Sequence, residues 1–169
     1  MLLWWRGKSL KVLKMPNGMM SEIKQVDVSS KPLVKRVAVA RGFIKLRRET
    51  LEKIKKGEVE KGDPLQVARL SAINAVKFTP LLLPLCHPLR IDHVEVKHRL
   101  LDGGIEIEVK VEAVERTGVE MEALTATCIA LLNIWDVVKM YEKDSEGQYP
   151  ETEIIGVKVV RKVKEIGEA

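Results

Sequence analysis

The stretch Ile91–Glu115, IDHVEVKHRLLDGGIEIEVKVEAVE, decides the fold of this chain. Ile105, Ile107, Val109, Val111 and Ala113 recur at every second position, with Glu106, Glu108, Lys110 and Glu112 between them. A period of two sends one set to a buried face and the other to solvent. Upstream, Val94, Val96, His98 and Leu100 form the matching inner set, and His93, Glu95, Lys97 and Arg99 the outer one. Asp102-Gly103-Gly104 joins the two runs with the residues of a tight hairpin turn. Two such strands need cover on one side only, and the rest of the chain supplies helices to provide it.

Before the hairpin, Asp63-Pro64 combines an N-cap with proline at the first helical position. It opens a helix to about Phe78, with Leu65, Ala68, Ala72, Ile73 and Val76 at helical spacing. Glu49–Gly57 is a short helix ended by glycine. Arg36–Leu46 alternates Val37 and Val39 with Ala38, Ala40 and Gly42, and reads as a strand covered on both sides. After the hairpin come a long helix, Glu120–Glu142, and a closing strand, Glu153–Lys164. The order strand, helices, strand, strand, helix, strand predicts an α+β domain: a ferredoxin-like antiparallel sheet with helices packed on one face. This single domain spans 21–169.

Met1–Met20 reads differently, with Trp4, Trp5, basic residues and Pro16-Asn17-Gly18. It is expected to be a poorly ordered basic leader, with a membrane-surface helix as the alternative. Arg6, Lys8, Lys11 and Lys14, with no acid before Glu22, account for +4 of the net charge of +5. The body is therefore nearly balanced and gives no bulk argument for nucleic acid. A composition 46% hydrophobic and 31% charged excludes a disordered chain. Cys86 and Cys128 lack metal-ligand or CxxC spacing and suit a reducing cytoplasm. The longest apolar run, Ala123–Trp135, carries Thr and Asn and falls short of the roughly 18 residues of a membrane span.

Chemistry concentrates in two stretches, Leu81–Leu89 (LLLPLCHPL) and Thr117–Leu124 (TGVEMEAL). Pro84 and Pro88 stiffen the loop that carries Leu85, Cys86 and His87. His87 there is either a core histidine bonded to a carbonyl or a site residue. Glu120 and Glu122 flank Met121 where a helix begins; one acid suffices for the helix dipole, and the second calls for another reason. Asp136 and Lys139 share a face of that helix in an apolar context, as a surface ion pair or as a partly buried proton-transfer pair. Lys61 precedes Gly62-Asp63-Pro64 at a helix N-terminus, a combination suited to a phosphate. Lys77 is ordinary charge placement near the end of the same helix. Three histidines without chelating spacing argue against a metal site.

These blocks carry a resemblance. VDVSSK at Val26–Lys31, KGDPLQVARL at Lys61–Leu70, LLPLCHPL at Leu82–Leu89, TGVEMEALTA at Thr117–Ala126 and IWDVVK at Ile134–Lys139 resemble the MoaC family of cyclic pyranopterin monophosphate synthases. The resemblance implies conversion of the 3′,8-cyclised dihydro-GTP to cyclic pyranopterin monophosphate, with release of pyrophosphate, in molybdenum-cofactor biosynthesis. It implies a cytoplasmic homohexamer, a trimer of dimers, with active sites at the dimer interface. Asp136 is then the expected acid/base, with Lys61 and Lys139 beside it. Leu85, Cys86, His87, Met121 and Glu122 are expected to bind substrate, supported by Glu120, Lys77, Arg36 and Lys162.

Lys164 competes with Lys162, because Val160–Lys164 lacks the glycines usual at that point. Gln25 stands where members often have Met, and Val34 where they often have Thr. No cofactor is implied; Mg could accompany the triphosphate, with nothing in the sequence to indicate it. A nucleotide sensor or RNA-binding module of the same topology is the alternative. The reading expects the segments around 61, 87 and 136 to meet in one pocket.

Overall fold

A computed structural model describes residues 23–165. Met1–Met20, read as a leader, lies outside the described residues. The elements are β1 (Val34–Lys45), α1 (Arg48–Lys56), α2 (Pro64–Leu82), β2 (His93–Leu101), β3 (Gly104–Glu115), α3 (Glu120–Glu142) and β4 (Glu153–Glu165). The four strands form one antiparallel sheet in the order β2-β3-β1-β4. This is the expected α+β class.

The inner face of β3 is the centre of the core: Ile105, Ile107, Val109 and Val111 are fully buried. Each such side chain contributes about 1.5–3 kcal/mol through its removal from water. Opposite them on β1 stand Ile44, Gly42, Ala40 and Ala38. Three of these are small because α3 crosses there. A Cβ at Gly42 would come within 2.8 Å of Leu131 Cδ1 and of Val157 Cγ2. Ala123, Ala126, Thr127 and Ala130, all fully buried on α3, match that close approach. On the outer face, Val37 and Val39 are also buried, flanked in register by the long side chains of Glu112, Lys110 and Arg161.

Asp63 caps α2 through Oδ1, which accepts the Leu65 and Gln66 amides at 2.8 and 3.4 Å. The helix continues past Phe78 to Leu82 with Pro80 inside it. Proline withholds one amide, but the Leu83 amide donates to the Thr79 carbonyl at 2.9 Å and restores the ladder. By length and composition α3 is apolar enough to cross a membrane, contrary to expectation. Half of its apolar stretch is buried inside the fold, so its apolarity serves packing against α2 and the sheet.

Candidate active site

The predicted residues fall into two groups at opposite ends of α3. At its N-terminal end lies a cleft of about 370 Å³ lined by Leu85, Cys86, His87, Thr117, Gly118, Met121, Glu122 and the 24–31 segment. The loop bearing His87 is held locally: the Cys86 amide donates to the Leu83 carbonyl, and the Arg90 amide to Glu115 Oε1. Gln25 crosses over it, its Nε2 donating to the Leu85 and Cys86 carbonyls at 3.3 and 3.2 Å. Arg116 Nη1 donates to the Ser29 carbonyl at 2.6 Å, fixing the same segment from the other side.

Glu122 is the unusual group in this cleft. It is 3% exposed, and its Oε2 has no hydrogen-bond partner among the described residues. Burial pushes its carboxyl above the ordinary 4.5; its own backbone amide opposes the shift and Glu120 adds to it. Neither glutamate caps α3, whose N-cap is Val119 without a side-chain bond. Glu120 instead pairs with Lys162 of β4, and its carboxylate lies where a Cβ on Gly118 would stand. Burial, reinforced by Glu122, raises the Cys86 thiol, so Cys86 is no ready thiolate nucleophile.

The second group sits near the C-terminal end of α3. Lys139 Nζ lies 2.7 Å from Asp136 Oδ1, one helical turn away. Lys61 Nζ reaches the Asp136 carbonyl at 2.9 Å and Oδ2 at 3.3 Å from the loop before α2. Lys139, then Lys61, hold the Asp136 carboxyl below its ordinary 3.8, and Asp136 in turn raises the Lys139 ammonium. All three side chains are substantially exposed, between 44% and 59%. Sequence alone allowed a partly buried pair at Asp136–Lys139; within one chain it is open to solvent.

At a rise of about 1.5 Å per residue, Glu122 and Asp136 stand about 21 Å apart along α3. One chain therefore does not gather the segments around 61, 87 and 136 into a single pocket. Within one chain 61 and 136 meet and 87 belongs to a separate cleft, so a site that joins all three draws on a second copy. The helix between them explains why, because it is straight core structure. Arg36 serves neither group directly; its guanidinium donates to the Glu115 and Arg116 carbonyls at 3.3 and 3.2 Å. Lys77 is exposed on α2 and lines neither. Lys162 stands opposite Ala38 and Lys164 opposite Arg36, but of the two lysines it is Lys162 that pairs with Glu120.

Lys24, Lys31 and Arg116 at the cleft were not singled out from sequence as site residues. The VDVSSK block held a hint of Lys31; Arg116 followed a plain amphipathic strand and gave none. Among the described residues no cluster of His, Cys, Asp and Glu could hold a metal ion.

The α+β domain thus offers a buried carboxyl in a cleft and, towards the other end of α3, a separate Lys–Asp–Lys centre. The MoaC family model matches residues 25–165, and the chain belongs to that family. It is 54% identical over 145 residues to a probable cyclic pyranopterin monophosphate synthase of Sulfurisphaera tokodaii, covering 86% of this chain and 96% of that protein. The identically named proteins of Sulfolobus acidocaldarius and Aeropyrum pernix are 53% identical over 142 residues and 52% over 145. Those matches cover 84% and 86% of this chain and 99% of each relative.

Proposed function

We propose that the protein is an enzyme of molybdenum-cofactor biosynthesis that carries out the cyclic pyranopterin monophosphate synthase reaction. Its substrate is (8S)-3′,8-cyclo-7,8-dihydroguanosine 5′-triphosphate. The observation that carries this reading is the pair of carboxyls at opposite ends of α3, Glu122 buried in the cleft with one oxygen unpartnered and Asp136 held between the Lys61 and Lys139 ammonium groups. A rearrangement that opens and recloses rings needs one group that holds a proton and one that accepts it. We assign the first role to Glu122, whose burial favours the neutral form, and the second to Asp136.

Formation of the cyclic phosphate is a substitution at the phosphorus nearest the sugar. A substrate hydroxyl forms the new P–O bond, its proton goes to the Asp136 carboxylate, and the bond to the next phosphate breaks to release pyrophosphate. Lys61 and Lys139 stabilise the charge that develops on the departing group. No protein nucleophile takes part, in keeping with the raised Cys86 thiol.

The two halves meet in an assembly. Along α3, Met121, Thr125, Cys128, Leu132, Asp136 and Lys139 follow one face, and Met121, Leu132 and Asp136 are exposed. Leu70, Phe78 and Leu81 are exposed on α2. A twofold axis crossing α3 near Ile129 exchanges the helix ends, setting the His87–Glu122 cleft of one copy beside the Lys61–Asp136–Lys139 centre of the next. The dimer covers this apolar face, and three dimers build the hexamer. A soluble cytoplasmic enzyme follows, with a small-molecule substrate rather than nucleic acid. The outer sheet face, where Arg41 pairs with Glu108 and Lys35 with Glu112, presents matched charges with Phe43 as the aromatic of β1 there, not a platform of stacking aromatics.

Incubation of the purified protein with the cyclised dihydro-GTP tests the reaction. Product with stoichiometric pyrophosphate, lost in Asp136→Asn, is the expected result. Tight substrate binding without turnover by the parent protein contradicts it and leaves a sensor.

A further inference from the structure

Lys61 belongs to a short loop, and what fixes that loop is not its own sequence. Gly57 and Gly62 are both in the left-handed region, at φ 70° and 99°, and no Cβ stiffens either position. The loop closes on one internal bond, from the Gly62 amide to the Val59 carbonyl at 3.0 Å, with Val59 buried. The Glu58 amide ties its start to the Lys53 carbonyl of α1 at 2.9 Å, and its end nearest Lys61 is held on α3. The Glu60 amide donates to the Tyr141 hydroxyl at 3.0 Å, one residue before Lys61. The Lys53 ammonium of α1 lies 5.2 Å from the centre of the Tyr141 ring, which ties the ring to the helix preceding the loop.

Lys61 itself meets α3 at the Asp136 carbonyl and carboxylate. The loop is thus pinned to α3 at two points, by Tyr141 through the backbone and by Asp136 through the side chain. Without the first, an exposed lysine with four rotatable bonds beyond its Cα has only one strong anchor, and its entropy works against the geometry.

We propose that Tyr141 is a positioning residue for the reaction: its hydroxyl, by holding the Glu60 amide, sets the place of the Lys61 ammonium against Asp136. This rests on the reading of Lys61 and Asp136 as reaction residues. Tyr141 touches neither the phosphates nor the heterocycle; it acts through Lys61. The charged and titratable groups facing Asp136 are Lys139 on its own helix and Lys61 from the loop, with Tyr149 acting in turn on Lys139. If Lys61 moves away, Asp136 loses one of the two cations that hold its carboxyl down and its pKa rises towards the ordinary value.

The test is Tyr141→Phe, which keeps the ring and the Lys53 contact and removes only the hydroxyl. Carbon-13 NMR titration of the Asp136 carboxylate is read in the parent, in Tyr141→Phe, in Lys61→Ala and in the double variant. The expected result is an upward shift in Tyr141→Phe, a larger one in Lys61→Ala, and no further shift when the two are combined. In turnover, kcat of Tyr141→Phe falls about fivefold, the factor set by one neutral hydrogen bond, with KM changed less. An unshifted Asp136 in Tyr141→Phe, or a shift that adds in full to that of Lys61→Ala, overturns the proposal. The titration needs no turnover, so it stands apart from a failure of the enzymatic reading. A shifted Asp136 with kcat unchanged, in an enzyme otherwise active, removes Tyr141 from the reaction.

Discussion

The two ends of α3 carry carboxylates that differ in every physical respect. Glu122 is buried, lacks a partner for one oxygen, and is pushed towards its neutral form. Asp136 is exposed, paired with two ammonium groups, and pushed towards its ionised form. The same helix presents both because it is largely apolar and packs against the sheet and α2 along most of its length. At its start the chain turns back through Thr117-Gly118 and encloses the acid. Near its end the neighbouring element is a short, lysine-bearing loop that leaves the acid in water. The opposite tasks proposed for the two carboxyls rest on this difference in environment.

Breaking the exposed end has the largest expected effect. Asp136→Asn keeps the shape, removes the proton acceptor, and is expected to lower kcat about a thousandfold, within the range of general acid–base catalysis. Steady-state pyrophosphate release measures it. Retention of a tenth or more of parental kcat would remove Asp136 from the chemistry.

Loosening the frame that carries that end comes next. Glu142 is fully buried in the last turn of α3 and accepts the Arg47 amide at 3.2 Å and the Thr152 hydroxyl at 2.5 Å. It locks the helix end to the β1–α1 junction and to the start of β4. Glu142→Ala leaves those donors without a partner and opens a cavity, at a cost of about 3 kcal/mol. Denaturant midpoints at constant m-value report it, and a change under 1 kcal/mol contradicts the lock. Asp63→Ala, which frays the start of α2 just beyond Lys61, is expected to cost about 1 kcal/mol by the same assay.

The smallest effect sharpens the contrast between the acids. Glu122 has a folded pKa above 4.5, so below 4.5 both states hold the proton and folding carries no penalty. As pH rises beyond 4.5 the unfolded chain ionises first, and stability is lost. Glu122→Gln is therefore expected to melt higher than the parent at pH 7 and to lose that advantage below pH 4.5. Asp136 runs the other way: its contribution is present above 3.8 and is lost as pH falls through its lowered folded value. Equal melting of Glu122→Gln and parent across that range would mean that burial does not govern Glu122.

Much of this was legible in the residues themselves. The hairpin announced its register through strict alternation around Asp102-Gly103-Gly104, and α3 was bounded as observed, Glu120 to Glu142. The Asp63-Pro64 start of α2 was equally plain. Its end was not, because Pro80 reads locally as a stop, whereas the amide bonded beyond it lies in the next turn. Lys61 and Asp136 carried a chemical signal, but their meeting is tertiary and no local pattern encodes it.

The distance between His87 and Asp136 within one chain was not legible for a related reason. Motif blocks state which residues matter but not whether one chain or two supply them. Tyr141 and Glu142 drew no notice, since a tyrosine and a glutamate at a helix end are ordinary until their partners, 81 and 95 positions earlier, are seen.

The central claim is that the cleft of one copy works with the lysine–aspartate centre of another. Mixing His87→Ala with Asp136→Asn after dissociation and reassembly tests it directly, since each variant damages a different end of α3. Random pairing in equal amounts gives one intact site in each mixed dimer, and about a quarter of parental activity is expected to return. Activity no higher than that of the two variants alone, in assemblies verified by mass to contain both chains, would contradict the claim.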